Sequence, residues 1–209
     1  MKIIFENSFN AAKIASEFLK EGKLISFATD TVYGVACDAE NEEAVKKLYD
    51  LKNRNSDKPI AIFLKDLTQI ETIFDFDEIS KRIAANFLPG GLTIVAPINK
   101  SKNLKISKQL YNIENNYLGF RIVGTKFIQE LMSSFGGILA VSSANISGFE
   151  AAKNAKDVEK YFQNSKLDLL VSGENLEGNV VSTVIKISNK KVEILRQGAI
   201  PESEIKRFI

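Results

Sequence analysis

The sequence contains no histidine and no tryptophan, and it has a single cysteine, Cys37, among 209 residues. The missing histidine excludes Ser-His-Asp and Cys-His chemistry and any His-ligated zinc site. One cysteine excludes an intrachain disulfide and a thiolate cluster, and it fits a reducing compartment. No run approaches the ~20 apolar residues of a membrane span. The opening residues, Met1-Lys2-Ile3-Ile4-Phe5-Glu6, lack the apolar stretch and small-residue cleavage site of a secretory signal, so the reading is cytoplasmic. Excess charge is also missing: 28 Lys and Arg face 26 Asp and Glu, a net +2. That balance gives no support for gross non-specific nucleic-acid binding, although a local basic patch stays open. Any catalysis must therefore use Lys, Arg, carboxylates, hydroxyls, amides or the substrate's own groups. A metal ion would arrive with phosphate.

What is present suffices for one core. Hydrophobic residues make up 44% of the chain, which suits a single domain over residues 1–209. Apolar spacing predicts helices over 9–21, with Gly22 as C-cap, after Asn41 as N-cap, over 78–87, after Thr125 as cap, near 156–162 and over 202–208. Strands are expected at 24–27, 60–64, 92–97, 118–122, 138–141, 167–171, 180–187 and 191–195, with a hairpin at Asn189-Lys190. The sum is one α/β domain with a mixed sheet. The segment carrying Lys100, Lys102, Lys105 and Lys108 reads as a closing flap or a solvated loop, and lysine runs favour the loop.

Three places bring chemistry to strand ends. Lys52, Arg54 and Lys58 flank a turn after the second helix. They are either a basic surface loop or a phosphate-binding set, with arginine as a planar fork and lysine as a point charge. Thr29, Asp30 and Thr31 follow a strand end, where ligands of α/β sheets tend to bind; the alternative is a polar turn. Tyr33 and Gly34 would add a stacking ring and a flexible backbone. Ser142-Ser143-Ala144-Asn145-Ile146-Ser147-Gly148 offers donors on small residues, or is a locally capped turn. Ser182 is open between a cavity hydroxyl and a solvent-facing strand residue. Arg121 and Arg196 end apolar strands and either snorkel or enter a cleft. Neither a Walker A nor a G-x-G-x-x-G pattern occurs.

These segments together resemble the YrdC/TsaC family of threonylcarbamoyl-AMP synthases. The resemblance rests on Thr29 to Gly34, Lys52-x-Arg54 with Lys58-Pro59, and Pro89-Gly90-x-Leu92-Thr93. It continues through Gly119-Phe120-Arg121, Ser142 to Asn145 with Ser147-Gly148, Ser182-Thr183-Val184 and Leu195-Arg196-x-Gly198-Ala199-Ile200. The matches keep the family's order over about residues 22 to 201. The resemblance implies a twisted sheet with a concave basic face. It also implies a reaction of L-threonine, bicarbonate or CO2 and ATP that gives threonylcarbamoyl-AMP and pyrophosphate. Magnesium would accompany the ATP. Other proteins would then pass the threonylcarbamoyl group to adenosine 37 of tRNA, the t6A modification. No membrane partner is implied.

By the family's pattern, Lys52, Arg54, Lys58, Ser143, Asn145 and Arg196 would meet ATP. Thr31, Arg121 and Ser182 would hold threonine, and Lys52, Arg54 and Arg121 would serve catalysis. The nucleophile belongs to the substrate, which agrees with the absent histidine. Ala28, Asn55 and Gly91 stand where the family favours proline. Tyr117 and Ala151 replace hydroxyls that contact nucleotide in some relatives. The chain should be the short, single-domain form. Two other readings remain: an RNA-binding module, and a relative that binds nucleotide without turnover.

Overall fold

The computed structural model describes every residue except 112–115, 177 and 179. Strand β1 (Lys2–Phe5) leads to helix α1 (Ala11–Lys20), then β2 (Ile25–Ala28), β3 (Tyr33–Asp38), α2 (Glu42–Leu51) and β4 (Ala61–Leu64). Short α3 (Ile70–Ile73) and α4 (Glu78–Phe87) precede β5 (Leu92–Pro97), β6 (Tyr117–Ile122), α5 (Lys126–Phe135) and β7 (Leu139–Ser143). The chain ends with α6 (Ala155–Phe162), β8 (Leu169–Ser172), β9 (Thr183–Ser188), β10 (Lys191–Arg196) and α7 (Glu202–Ile205). The strands form one mixed sheet in the order β1-β8-β2-β3-β7-β4-β6-β5-β9-β10.

Strand alternation sorts side chains onto two faces. In β2, Ile25 and Phe27 join the α1 and α5 side, while Ala28 joins the other. In β4, Ile62 and Leu64 face α2, α4 and α6, while Phe63 faces the opposite way. Helices α1 and α5 pack against each other, and α1 touches β8, β2 and β3. The same face of β4, β6, β5 and β9 is where the cavity described below opens.

Local signals explain most element ends. Helix α1 stops in a Schellman motif, with Lys23 N–H to Phe18 C=O at 3.1 Å and Gly22 N–H to Leu19 C=O at 2.9 Å. Gly22 adopts φ 68°, a conformation that favours glycine. Asn41 caps α2 through Ala44 N–H at 3.0 Å. The β9–β10 hairpin turns on Asn189 (φ 50°) and Lys190 (φ 61°), the double-positive pattern of a type I′ turn. Thr125 holds the N-cap position of α5 by its backbone alone, since its hydroxyl makes no cap bond.

Strands β1 and β3 lie outside the sequence expectations. The Tyr33-Gly34 step belongs to β3, and the Tyr33 ring is buried, with its hydroxyl donating to Glu174 C=O at 3.2 Å. It is a core tyrosine rather than a free stacking ring. The lysine-rich segment is anchored in its middle: Ile106 and Leu110 are buried, and Ser107 N–H bonds Ala39 C=O at 2.9 Å. The last part of that segment, 112–115, lies outside the described residues. No helix among the described residues is long and apolar enough to cross a membrane.

Candidate functional site

Strands β5 and β6 show why a hollow forms. Leu92, Ile94 and Ala96 of β5, and Leu118, Phe120 and Ile122 of β6, enter the core. The intervening Thr93, Val95, Gly119 and Arg121 line a cavity of about 400 Å3. The loops after β2 and α2, the ends of β7 and β10, and the stretch before β9 complete its wall. Of the nine site residues expected from sequence, Thr31, Arg54, Arg121, Ser143, Ser182 and Arg196 line it. A larger open groove of about 730 Å3 lies between residues 6–13 and α5, but Glu6, Lys13, Lys126 and Glu130 give it mixed charge. None of the nine lies there.

One end of the cavity is a buried hydrogen-bonded network. Arg121 is 5% exposed and donates from Nε to Gly90 C=O at 2.9 Å, from Nη1 to Thr31 Oγ1 at 2.9 Å, and from Nη2 to the Asp30 carboxylate. Thr31 Oγ1 also meets Thr29 Oγ1 at 3.1 Å, and Thr29 donates to Val32 C=O at 2.6 Å. The guanidinium has five N–H groups, so these bonds leave two for a ligand. Burial pushes the Arg121 pKa down, Asp30 opposes that, and Arg196 adds to the lowering. Ser182 is buried, with its hydroxyl 2.9 Å from Thr93 Oγ1, so it is not a solvent-facing strand residue.

The other end is more open. Arg54 donates from Nε to Lys58 C=O at 2.9 Å and from Nη2 to Pro59 C=O at 3.0 Å. Those two carbonyls aim the fork and leave three N–H groups unspent. Arg196 donates to Ser182 C=O from Nη2 at 2.8 Å and from Nε at 3.1 Å, and to Ser182 Oγ at 3.1 Å. Gly198 permits this crossing: a Cβ there would lie 2.2 Å from Val181 C=O. Burial lowers the pKa of both arginines, and the charge of Arg54 lowers Arg196 further. Like charges held together favour an incoming anion. Val181, Val184, Leu195, Val95 and Tyr117 supply apolar wall.

Three expected residues stand apart. The Lys52 side chain is 1% exposed and lies beneath the turn after β7, away from the wall. Its Nζ donates to Ser143 C=O, to Asn145 C=O at 2.8 Å and to Asn145 Oδ1 at 3.2 Å. Asn53, at φ 48°, turns the chain so that Lys52 goes under the turn while Arg54 enters the cavity. Burial and then Arg54 push the Lys52 pKa down to about 7, while the three oxygen acceptors favour the ammonium. Asn145 is also buried, supporting the turn rather than lining the wall. Lys58 is exposed outside the wall, and its carbonyl holds Arg54 and the Tyr49 hydroxyl.

The sequence reading missed Asp30 as the partner of Arg121, Thr93 as the partner of Ser182, and Phe63, whose ring lies 6.0 Å from the Arg121 guanidinium carbon. For Thr93 the available signal was alternation: Leu92, Ile94 and Ala96 enter the core, which puts Thr93 and Val95 on the other face.

Comparison with known proteins finds relatives over nearly the whole chain. The sequence model of the Sua5/YciO/YrdC family, described as telomere recombination, matches residues 17–198. A Methanocaldococcus jannaschii protein provisionally named threonylcarbamoyl-AMP synthase is 34% identical over 98% of this chain and 95% of its own length. The threonylcarbamoyl-AMP synthase of Pyrococcus abyssi is 31% identical over 94% of this chain, which spans 56% of that longer protein. The structure of P. abyssi Sua5 with L-threonine superposes with a TM-score of 0.87 at 30% identity, covering 100% of this chain and 60% of that one. Escherichia coli YciO shares the fold, with a TM-score of 0.85 at 20% identity over 100% of this chain and 97% of its own. With the match running from α1 to the loop after β10, and so through every wall of the cavity, the chain belongs to the Sua5/YciO/YrdC family.

Proposed function

We infer that this protein is a threonylcarbamoyl-AMP synthase, joining L-threonine, bicarbonate or CO2, and ATP and releasing pyrophosphate. The observation that carries this reading is the meeting of Arg54, Arg121 and Arg196 with the hydroxyls of Thr31, Ser143 and Ser182 around one cavity. The relatives named above supply the reaction class.

In this reading the two unspent N–H groups of Arg121 receive the threonine carboxylate, a geometry suited to a planar fork. Thr31 and Ser182 orient the rest of the amino acid, with Phe63 as apolar floor. Arg54 and Arg196 take phosphate oxygens, Ser143 borders them, and the exposed Lys58 adds charge at the rim. The apolar wall of Val181, Val184 and Leu195 suits the adenine ring. The threonine amine forms an N–C bond to CO2 and loses a proton. A carbamate oxygen then attacks the α-phosphorus, and the bond to the β-phosphate oxygen breaks. The protein supplies alignment and charge stabilisation, and holding reactants in place can contribute roughly 7–11 kcal/mol.

No group of three His, Cys, Asp or Glu side chains gathers among the described residues to hold a metal ion. Asp30 is engaged by Arg121. In this reading magnesium enters with the triphosphate, as part of the substrate. The product would be passed on for t6A modification of tRNA in the cytoplasm.

The test is incubation with ATP, magnesium, bicarbonate and L-threonine, followed by mass detection of threonylcarbamoyl-AMP, with L-serine as the control amino acid. Threonine-dependent product and pyrophosphate are expected. Absence of both from folded protein would overturn the reading.

A further inference from the structure

The turn after β7 points two backbone carbonyls inward, those of Ser143 and Asn145. Both end on the Lys52 ammonium, as does Asn145 Oδ1. An ammonium has three N–H donors. All three are used, and the side chain is 1% exposed. The protonated form, the only one that would attract a phosphate, thus has no donor left to give.

The surrounding bonds fix the same turn from other directions. Asn145 Oδ1 also accepts the Ser143 hydroxyl proton at 2.6 Å. Asn145 Nδ2 donates to Ile146 C=O at 3.0 Å and to Phe149 C=O at 2.7 Å, which fixes the amide orientation. Ser147 N–H returns to Lys52 C=O at 2.8 Å. The end of α2 and the Ser143 turn are therefore tied by side chain and backbone together. Arg54 lies two residues beyond Lys52, so the tie also sets Arg54 against Ser143.

We propose that Lys52 is a positioning residue that acts with Asn145 to hold the Ser143 turn opposite Arg54, and that it makes no phosphate contact of its own. The part of this concerning nucleotide rests on the reading of the cavity as the ATP site. The part concerning the turn does not. Removing the strut frees two buried carbonyls and one amide oxygen, so the turn loosens first and nucleotide affinity falls as a consequence. Affinity for threonine, held at the Arg121 end, is spared.

Hydrogen exchange read by mass spectrometry on the ligand-free protein tests the strut directly. Lys52→Met should speed exchange of the Ala144 and Ser147 amides by roughly tenfold or more, the scale set by losing hydrogen bonds to a charged group. Arg54→Ala should leave those amides unchanged. Calorimetry with a non-hydrolysable ATP analogue then gives a double-mutant cycle. Lys52→Met and Asn145→Ala should each weaken binding, and the double variant should be little worse than the weaker single, because both dismantle one unit. L-threonine affinity should stay within about twofold in each variant.

If Lys52→Met lowers analogue affinity by the same factor in both backgrounds while turn exchange is unchanged, Lys52 is a direct phosphate ligand and the proposal fails. Should Lys52→Met not fold, Asn145→Ala alone still decides: unchanged exchange at Ala144 and Ser147 overturns the strut. Wild-type protein that binds no analogue would defeat the ATP reading instead, and the exchange result would stand apart from it.

Discussion

Arg121 and Arg54 face one cavity, yet they are built in opposite ways. Arg121 is 5% exposed and spends its bonds on a carboxylate, a hydroxyl and a carbonyl. Arg54 is half-buried and is aimed by two carbonyls, and it forms no ion pair with a carboxylate among the described residues. The buried end neutralises its own cation and leaves a small, fixed set of donors, which suits a compact amino acid. The open end keeps Arg54 and Arg196 mutually repelling, which suits a polyanion that brings its own charge. In the proposed function, preorganisation recognises the small ligand and unspent positive charge receives the large one.

The largest expected effect breaks the buried end. Arg121→Ala leaves Asp30 without its partner, and losing one member of such a pair costs about 3 kcal/mol, the low end of the range because Asp30 retains some solvent. A fall in thermal midpoint and loss of threonine-dependent turnover should appear together. Arg121→Lys should rescue stability in part but not turnover, since an ammonium cannot reproduce the fork. A stable Arg121→Ala protein would mean the network is not the scaffold described.

Arg54→Ala should separate the two properties. A charge-assisted phosphate contact contributes roughly 1.5–3 kcal/mol, so kcat/KM for ATP should fall about 10- to 100-fold while the thermal midpoint barely moves. Unchanged turnover would remove Arg54 from the phosphate site. Smaller still, Ser182→Ala deletes one hydroxyl shared by Thr93 and Arg196. It should raise the KM for threonine by about tenfold, with stability lowered by about 1 kcal/mol. Steady-state kinetics with each substrate varied in turn distinguishes these two variants.

The smallest effect is a pH signature beneath the open end. Burial and the charge of Arg54 push the Lys52 pKa down, below the ordinary lysine value of the unfolded chain, while its three oxygen acceptors limit the fall. Between those values the unfolded state binds more protons, so stability rises with pH. One group contributes at most about 1.4 kcal/mol per pH unit. Denaturant titrations from pH 7 upward should show that slope in wild type and a flatter one in Lys52→Met. Equal slopes would place the Lys52 pKa near its unperturbed range.

Much of this architecture was legible in the residues. Helices α1, α2, α4, α5 and α6 follow apolar spacing and caps, and the Asn189-Lys190 hairpin follows its turn residues. Strand β3 was not legible, because Tyr33-Gly34-Val35-Ala36-Cys37 is buried on both faces and shows no alternation. Strand β1 was hidden for the opposite reason, since only Ile4 is partly buried. Six of the nine expected site residues reach the cavity. Spacing two apart suggested that Lys52 and Arg54 converge, but the positive φ of Asn53 sends them to different sides of the turn. The Asp30–Arg121 pair is separated by 91 residues, a distance at which local pattern carries no information about contact.

A crystal structure with L-threonine and a non-hydrolysable ATP analogue bound together tests the central claim most directly. The account predicts the threonine carboxylate on Arg121, the phosphates against Arg54 and Arg196, and Lys52 still beneath the Ser143 turn. Phosphates bound away from Arg54, or threonine outside the Arg121 network, would contradict it.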